Sequence, residues 1–214
     1  MTTQPSGGAT APDVIYIIRH GEKPADPPVT GPGQFAPPAG PPYGVDDQGN
    51  QDAHSLLPRG WQRSGALAVL FDPALGPLQA ALLTPAALLS PSYGSQDKTA
   101  EHRTYQTIQG LSDRLGLPIV SDFAEGQEPQ LAASVVSGYS GIVLICWEHD
   151  HIPALASSLP VIPGTVIPPA WPGDRFDVIW MFTLVPGAAP VQYAFSQIPQ
   201  QLLSGDTDTV IPAS

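Results

Sequence analysis

The chain has 214 residues, 42% of them apolar, which is enough for a hydrophobic core and about one domain. Its 21 glycines and 27 prolines make up roughly a fifth of the residues, against about 12% in ordinary chains, so long irregular stretches interrupt that core. A formal net charge of −11 leaves no basic surface for nucleic acid or an anionic membrane, and a lone cysteine excludes an intrachain disulfide framework or a multi-cysteine metal centre.

The first twelve residues carry neither a basic n-region nor an apolar h-region and read as a disordered tail, 1–12, ahead of one domain over 13–214. With no run of about 18 apolar residues, a cytoplasmic protein is the expectation. Val14 to Ile18 is a continuous β-branched and aromatic run, apolar on both faces, which predicts a central parallel strand ending at Arg19-His20-Gly21-Glu22. The Pro-rich stretch from about 24 to 55 supports neither helix nor central strand and predicts a long insertion loop. A helix pattern resumes at Gly60-Trp61, with Leu67, Leu70 and Phe71 on one face. Ala86–Leu89 predicts a second strand, stopping at Ser90-Pro91, and a helix follows from about Ala100 to Leu115 with Gly116 as its stop. A short strand at Pro118–Val120, a helix at Pro129–Ser137, a core strand at Gly141–Trp147 and a helix at Ile152–Leu159 come next. Asp177–Leu184 and Val191–Ser196 read as two more strands, paired antiparallel. The alternation predicts an α/β fold: a three-layer α/β/α sandwich around a mostly parallel sheet. Ligands of such sheets bind beyond the carboxyl ends of the strands.

Arg19-His20, Ser90 with Arg103 downstream, and Glu148-His149-Asp150 sit at those ends. Two arginines and two histidines there, in a chain with eight Lys and Arg in all, suit phosphoryl transfer. Guanidinium forks match phosphate oxygens, neutral imidazole attacks phosphorus, a protonated imidazole adds charge on the equatorial oxygens, and a carboxylic acid protonates the leaving alkoxide.

Val14-Ile15-Tyr16-Ile17-Ile18-Arg19-His20-Gly21-Glu22 resembles the opening strand and Arg-His-Gly signature of the histidine phosphatase superfamily, which includes the phosphoglycerate mutases and the histidine acid phosphatases. Three further stretches are similar to that family in the same order: Leu57-Pro58-Arg59-Gly60-Trp61-Gln62, Ser90-Pro91 with Arg103-Thr104-Tyr105-Gln106-Thr107, and Val143 to His149. The resemblance spans about residues 13 to 185. It implies a phosphoglycerate mutase-like fold, with His20 as nucleophile and Arg19, Arg103 and His149 as the phosphate pocket. It further implies metal-independent catalysis with no cofactor, on a small phosphorylated substrate, releasing inorganic phosphate. The chain departs from the pattern in a longer gap between Pro91 and Arg103 and in the Pro-rich insertion.

The proton donor is open between two carboxylates. Asp150 resembles the His-Asp pair of the acid phosphatases, and Glu125, with Asp122 and Glu128, lies where mutase-like relatives place a glutamate. Glu22 reads either as a participant or as a loop-stabilising carboxylate. The insertion, with Phe35 and Tyr43 as apolar surface and Asp46, Asp47 and Asp52 repelling polyphosphates, is a candidate lid selecting a compact monophosphate. Competing readings are a catalytically silent phosphoester-binding domain of the same fold, a phosphomutase, and a metal pair formed by His149 and His151 on one strand face.

Overall fold

A computed structural model describes residues 11–25, 41–76, 78–79, 82–93 and 102–213. Apolar β-branched residues form its centre. Strands β1 (Val14–Arg19), β2 (Ala87–Leu89), β3 (Ile119–Val120), β4 (Ile142–Trp147), β5 (Val178–Leu184) and β6 (Tyr193–Pro199) build one sheet in the order β3-β2-β4-β1-β5-β6. β3, β2, β4 and β1 run parallel, and β5 and β6 add an antiparallel end. The sheet is thus mostly parallel. The expectation for β1 needs a correction on one side, because its second neighbour, β5, is antiparallel.

Helices α1 (Pro58–Phe71), α2 (Arg103–Leu115), α3 (Glu128–Gly138) and α4 (Ile152–Ser158) cover both faces. Successive strand residues point to opposite sides, so β1 and β4 feed two cores. Ile15, Ile17, Val143, Ile145 and Trp147 meet Leu131, Val135, Ile152 and Leu155 of α3 and α4. Tyr16, Ile18, Leu144 and Cys146 meet Leu67, Phe71, Ile108 and Leu111 of α1 and α2. That two-sided burial is why these strands read as unbroken apolar runs. Cys146 lies wholly inside, and burial pushes its thiol up, away from the reactive thiolate.

Element ends shift by a few residues from the sequence reading. α1 starts at Pro58, whose missing N–H costs nothing in a first turn. Gly116 closes α2 in the left-handed region, with φ 65°. β6 begins at Tyr193 rather than Val191, since Gln192 closes the turn back to Val185, and it continues to Pro199, opposite Val178. Proline is tolerated there because β6 is the sheet edge. Residues 1–10 of the expected tail and 26–40 of the insertion lie outside the described residues, whereas Pro12, expected in the disordered tail 1–12, is buried, its carbonyl accepting from Tyr193 Oη at 3.0 Å. Residues 41–55 are anchored: Val45 O accepts from Trp61 Nε1 at 2.8 Å, and Ser55 Oγ accepts from Gln106 Nε2 at 2.8 Å. Among the described residues no helix is long and apolar enough to cross a membrane.

Candidate functional site

The parallel register of β1 and β4 sets the site. Arg19 lies beside Trp147, so the chain leaves both strands at the same level, with His20 next on one and Glu148-His149 next on the other. His20 is 2% exposed, and its Nδ1 lies 2.8 Å from the Gly21 carbonyl oxygen. A carbonyl can only accept, so Nδ1 carries the hydrogen and Nε2 holds the lone pair. Burial lowers the pKa of His20 to about 4, with the nearby Arg19 charge in the same sense and Glu148 opposing. The ring is neutral at pH 7.

Arg19 is 1% exposed. Its Nη1 donates to the carbonyls of Pro172, Gly173 and Arg175 at 3.0–3.1 Å, and its guanidinium carbon sits 3.9 Å from the Phe176 ring centroid. The loop before β5 therefore fixes one edge of the fork and one face. Nε and Nη2 are buried with no hydrogen-bond partner. Such donors are costly to leave unmet, by about 1–3 kcal/mol each, and they are what an anion would satisfy. Burial lowers the pKa to about 10, against the opposing pull of Glu148 and Asp150, so the cation persists at neutral pH.

Glu148 Oε1 lies 3.7 Å from His20 Nε2 and in close contact with His149 Nδ1, which is out of line for a regular hydrogen bond. The His20 and His149 rings meet edge to face at 5.7 Å. Glu148 Oε2 accepts from the Asp150 N–H at 2.7 Å. Burial alone would raise the Glu148 pKa, but His149, His20 and that N–H hold it well below the usual carboxylate range. Asp150 points outward: its side chain is 80% exposed, with Oδ1 3.5 Å from His149 Nε2.

Arg103 opens α2, with Nη2 donating to the Ala53 carbonyl at 2.8 Å. Its helix is tied to the site four residues on. Thr107 Oγ1 accepts from the Gly21 N–H at 2.8 Å and donates to the Arg103 carbonyl at 2.6 Å. The loop after His20 is also pressed on α1, where a Cβ on Gly60 would stand 2.6 Å from the Glu22 carbonyl oxygen and one on Gly21 3.1 Å from Gly60 Cα. Glu22 takes the loop-stabilising role. Arg63, fully buried, grips both its oxygens through Nε at 3.1 Å and Nη2 at 2.8 Å, and holds Asp206 and Gln200 with the same guanidinium. Arg59 adds a further bond to Glu22 at 3.0 Å.

Glu125 is partly buried in the turn between β3 and α3. Glu128 is structural, accepting from Trp147 Nε1 at 3.1 Å and from the Gly126 N–H at 2.9 Å, with His151 Nδ1 3.1 Å away. The His149–His151 pair rested on strand alternation, which does not apply because β4 ends at Trp147 and residues 148–151 turn into α4. Glu148, named at the end of the strand but given no part in the chemistry, is the residue the sequence does not single out, because its two neighbours carry the recognisable motif. The only signal was its place at the end of an apolar strand beside His149.

No family model matches the sequence, and no curated protein matches it. Among solved structures, the chain is similar to one described as mycobacterial hydrolase 1, at 14% identity and a TM-score of 0.46, over 86% of this chain and 97% of that one. A likeness this loose carries no chemistry across.

Proposed function

We propose that the chain is a histidine phosphatase-type phosphomonoester hydrolase, with the phosphoglycerate mutase-like fold its sequence motifs suggest. The observation that carries the reading is the His20 Nδ1–Gly21 carbonyl hydrogen bond, which leaves the lone pair on a neutral Nε2, next along the chain from Arg19 with its buried, unmet Nε and Nη2. In the first step Nε2 attacks phosphorus, a P–N bond forms, the P–O bond to the alkoxide breaks, and a carboxylic acid gives that alkoxide its proton. Water then attacks phosphorus, the P–N bond breaks, and inorganic phosphate leaves as the carboxylate takes up the water proton. Arg19, Arg103 and His149 hold the equatorial oxygens, and Asp150 or Glu125 supplies the proton. The substrate is a small phosphomonoester, and no metal or cofactor takes part.

The test is chemical trapping. Denaturing the protein in alkali during turnover of a labelled phosphomonoester should leave phosphate on one histidine, stable to alkali and labile to acid. His20→Ala should remove both the label and the hydrolysis. Undiminished hydrolysis by that variant would overturn the reading.

A further inference from the structure

We infer that His20, Glu148 and His149 form a binding site for a divalent transition-metal ion of the zinc class, and that its occupation shuts the hydrolase off. Three cation-binding atoms converge at the ends of β1 and β4. One ligand atom from each of His20, Glu148 and His149 lies within 4.8 Å of the other two, and Glu148 Oε1 faces both His20 Nε2 and His149 Nδ1. His20 Nε2 and Glu148 Oε1 are 3.7 Å apart, a span that a tetrahedral ion with bonds of about 2.0–2.2 Å bridges after slight closure. His149 Nδ1 is buried without a hydrogen-bond partner beside the same oxygen, and an ion there would take both atoms as ligands.

The outer contacts are those of metal-ligating histidines, which give their second nitrogen to an oxygen acceptor. His20 Nδ1 faces the Gly21 carbonyl at 2.8 Å, and His149 Nε2 faces the Asp150 carboxylate at 3.5 Å. Both are thereby oriented with the other nitrogen turned inward. Two imidazoles with one carboxylate select zinc, cobalt or copper over magnesium or calcium, which want oxygen. The Arg19 cation stands nearby, and the carboxylates of Glu148 and Asp150 offset it.

The inhibitory consequence rests on the proposed phosphohistidine chemistry, because an ion on Nε2 takes the lone pair that must attack phosphorus. The binding itself does not rest on it. Cobalt(II) added to the full chain should give a visible d–d absorption at one equivalent, which zinc displaces and magnesium does not. Glu148→Gln, close to isosteric, and His149→Ala, at a less buried position, should each weaken binding by about tenfold or more. Combined replacement of His54, His102 and His151 should leave the spectrum unchanged. Phosphomonoester hydrolysis should fall with added zinc over the range in which zinc displaces cobalt, and a chelator should restore it.

No cobalt spectrum in the wild-type chain, or one unaltered by both Glu148→Gln and His149→Ala, would overturn the site. His20→Ala separates the two ideas. Loss of metal with retained hydrolysis sinks the phosphohistidine reading and keeps the site, whereas wild-type metal binding with lost hydrolysis does the reverse.

Discussion

Glu148 places an ionised carboxylate 3.7 Å from the nitrogen on which the proposed chemistry depends, where an incoming phosphate would meet like charge. Glu148→Gln removes that repulsion while keeping shape, and competitive inhibition by inorganic phosphate should tighten on the order of tenfold, the effect of like charges in a partly buried site. Measured inhibition constants that stay equal or weaken would make Glu148 a supporting carboxylate for His149 instead. Arg19→Lys keeps a charge but loses the planar fork, so kcat/KM should fall by about 10²-fold or more, much as in Arg19→Ala. The two acid candidates separate by leaving group. The variant that lost the donor, Asp150→Asn or Glu125→Gln, should be hurt far more on an alkyl phosphate than on nitrophenyl phosphate, whose leaving group needs no proton. At this scale Arg19, His20 and His149 are legible in the sequence because each ends or follows an apolar strand. The partners of Arg19 are not, since the carbonyls around it come from residues 172–175, on a loop that no local pattern links to β1.

The site loop after β1 is held from two elements at once. Thr107 of α2 takes the Gly21 N–H, and Gly60 of α1 lets the backbone of Glu22 approach to a distance that a side chain would forbid. Gly60→Ala should therefore lower kcat/KM more than it lowers the melting temperature, because the displaced backbone is the one that carries His20. Equal wild-type kinetics in that variant would show that the loop yields freely. Arg63→Met leaves buried Glu22 and Asp206 with only the half-exposed Arg59 as counter-charge and should cost about 3–5 kcal/mol in denaturant unfolding. The strands and helices themselves are foreseeable where an unbroken apolar run marks a strand buried on both faces, as in β1 and β4, or where a helical period stands out, as in α2. The role of Arg63 was not, because its partners Glu22, Gln200 and Asp206 are scattered over the chain and only the fold brings them to one guanidinium.

Acid should loosen the whole molecule from the end of the sheet that carries β5. Burial alone would raise the pKa values of Asp177 and Asp206. For Asp177 the Thr207 N–H and Arg175, and for Asp206 the Arg63 fork with the Leu202 and Leu203 N–H groups, outweigh it and hold both below the ordinary 3.8. The unfolded chain thus binds protons on these groups at higher pH than the folded one. Their contribution is complete above the unfolded pKa and is lost as pH falls from about 4 towards the lowered folded values, so urea midpoints should drop across that window. Asp177→Asn together with Asp206→Asn should flatten the drop. The pairing of β1 with β4 has a further consequence, in time rather than in space. Val14 and Ile142 meet across more than a hundred residues of intervening chain, and the clamp on Arg19 arrives later still, from residues 172–176. Closing so long a loop is slow compared with forming local helices. Synthesis must therefore have passed residue 176 before the proposed chemistry can begin. During refolding, enzymatic competence should return with the slowest cooperative phase and never ahead of it, with no partially active intermediate on the way.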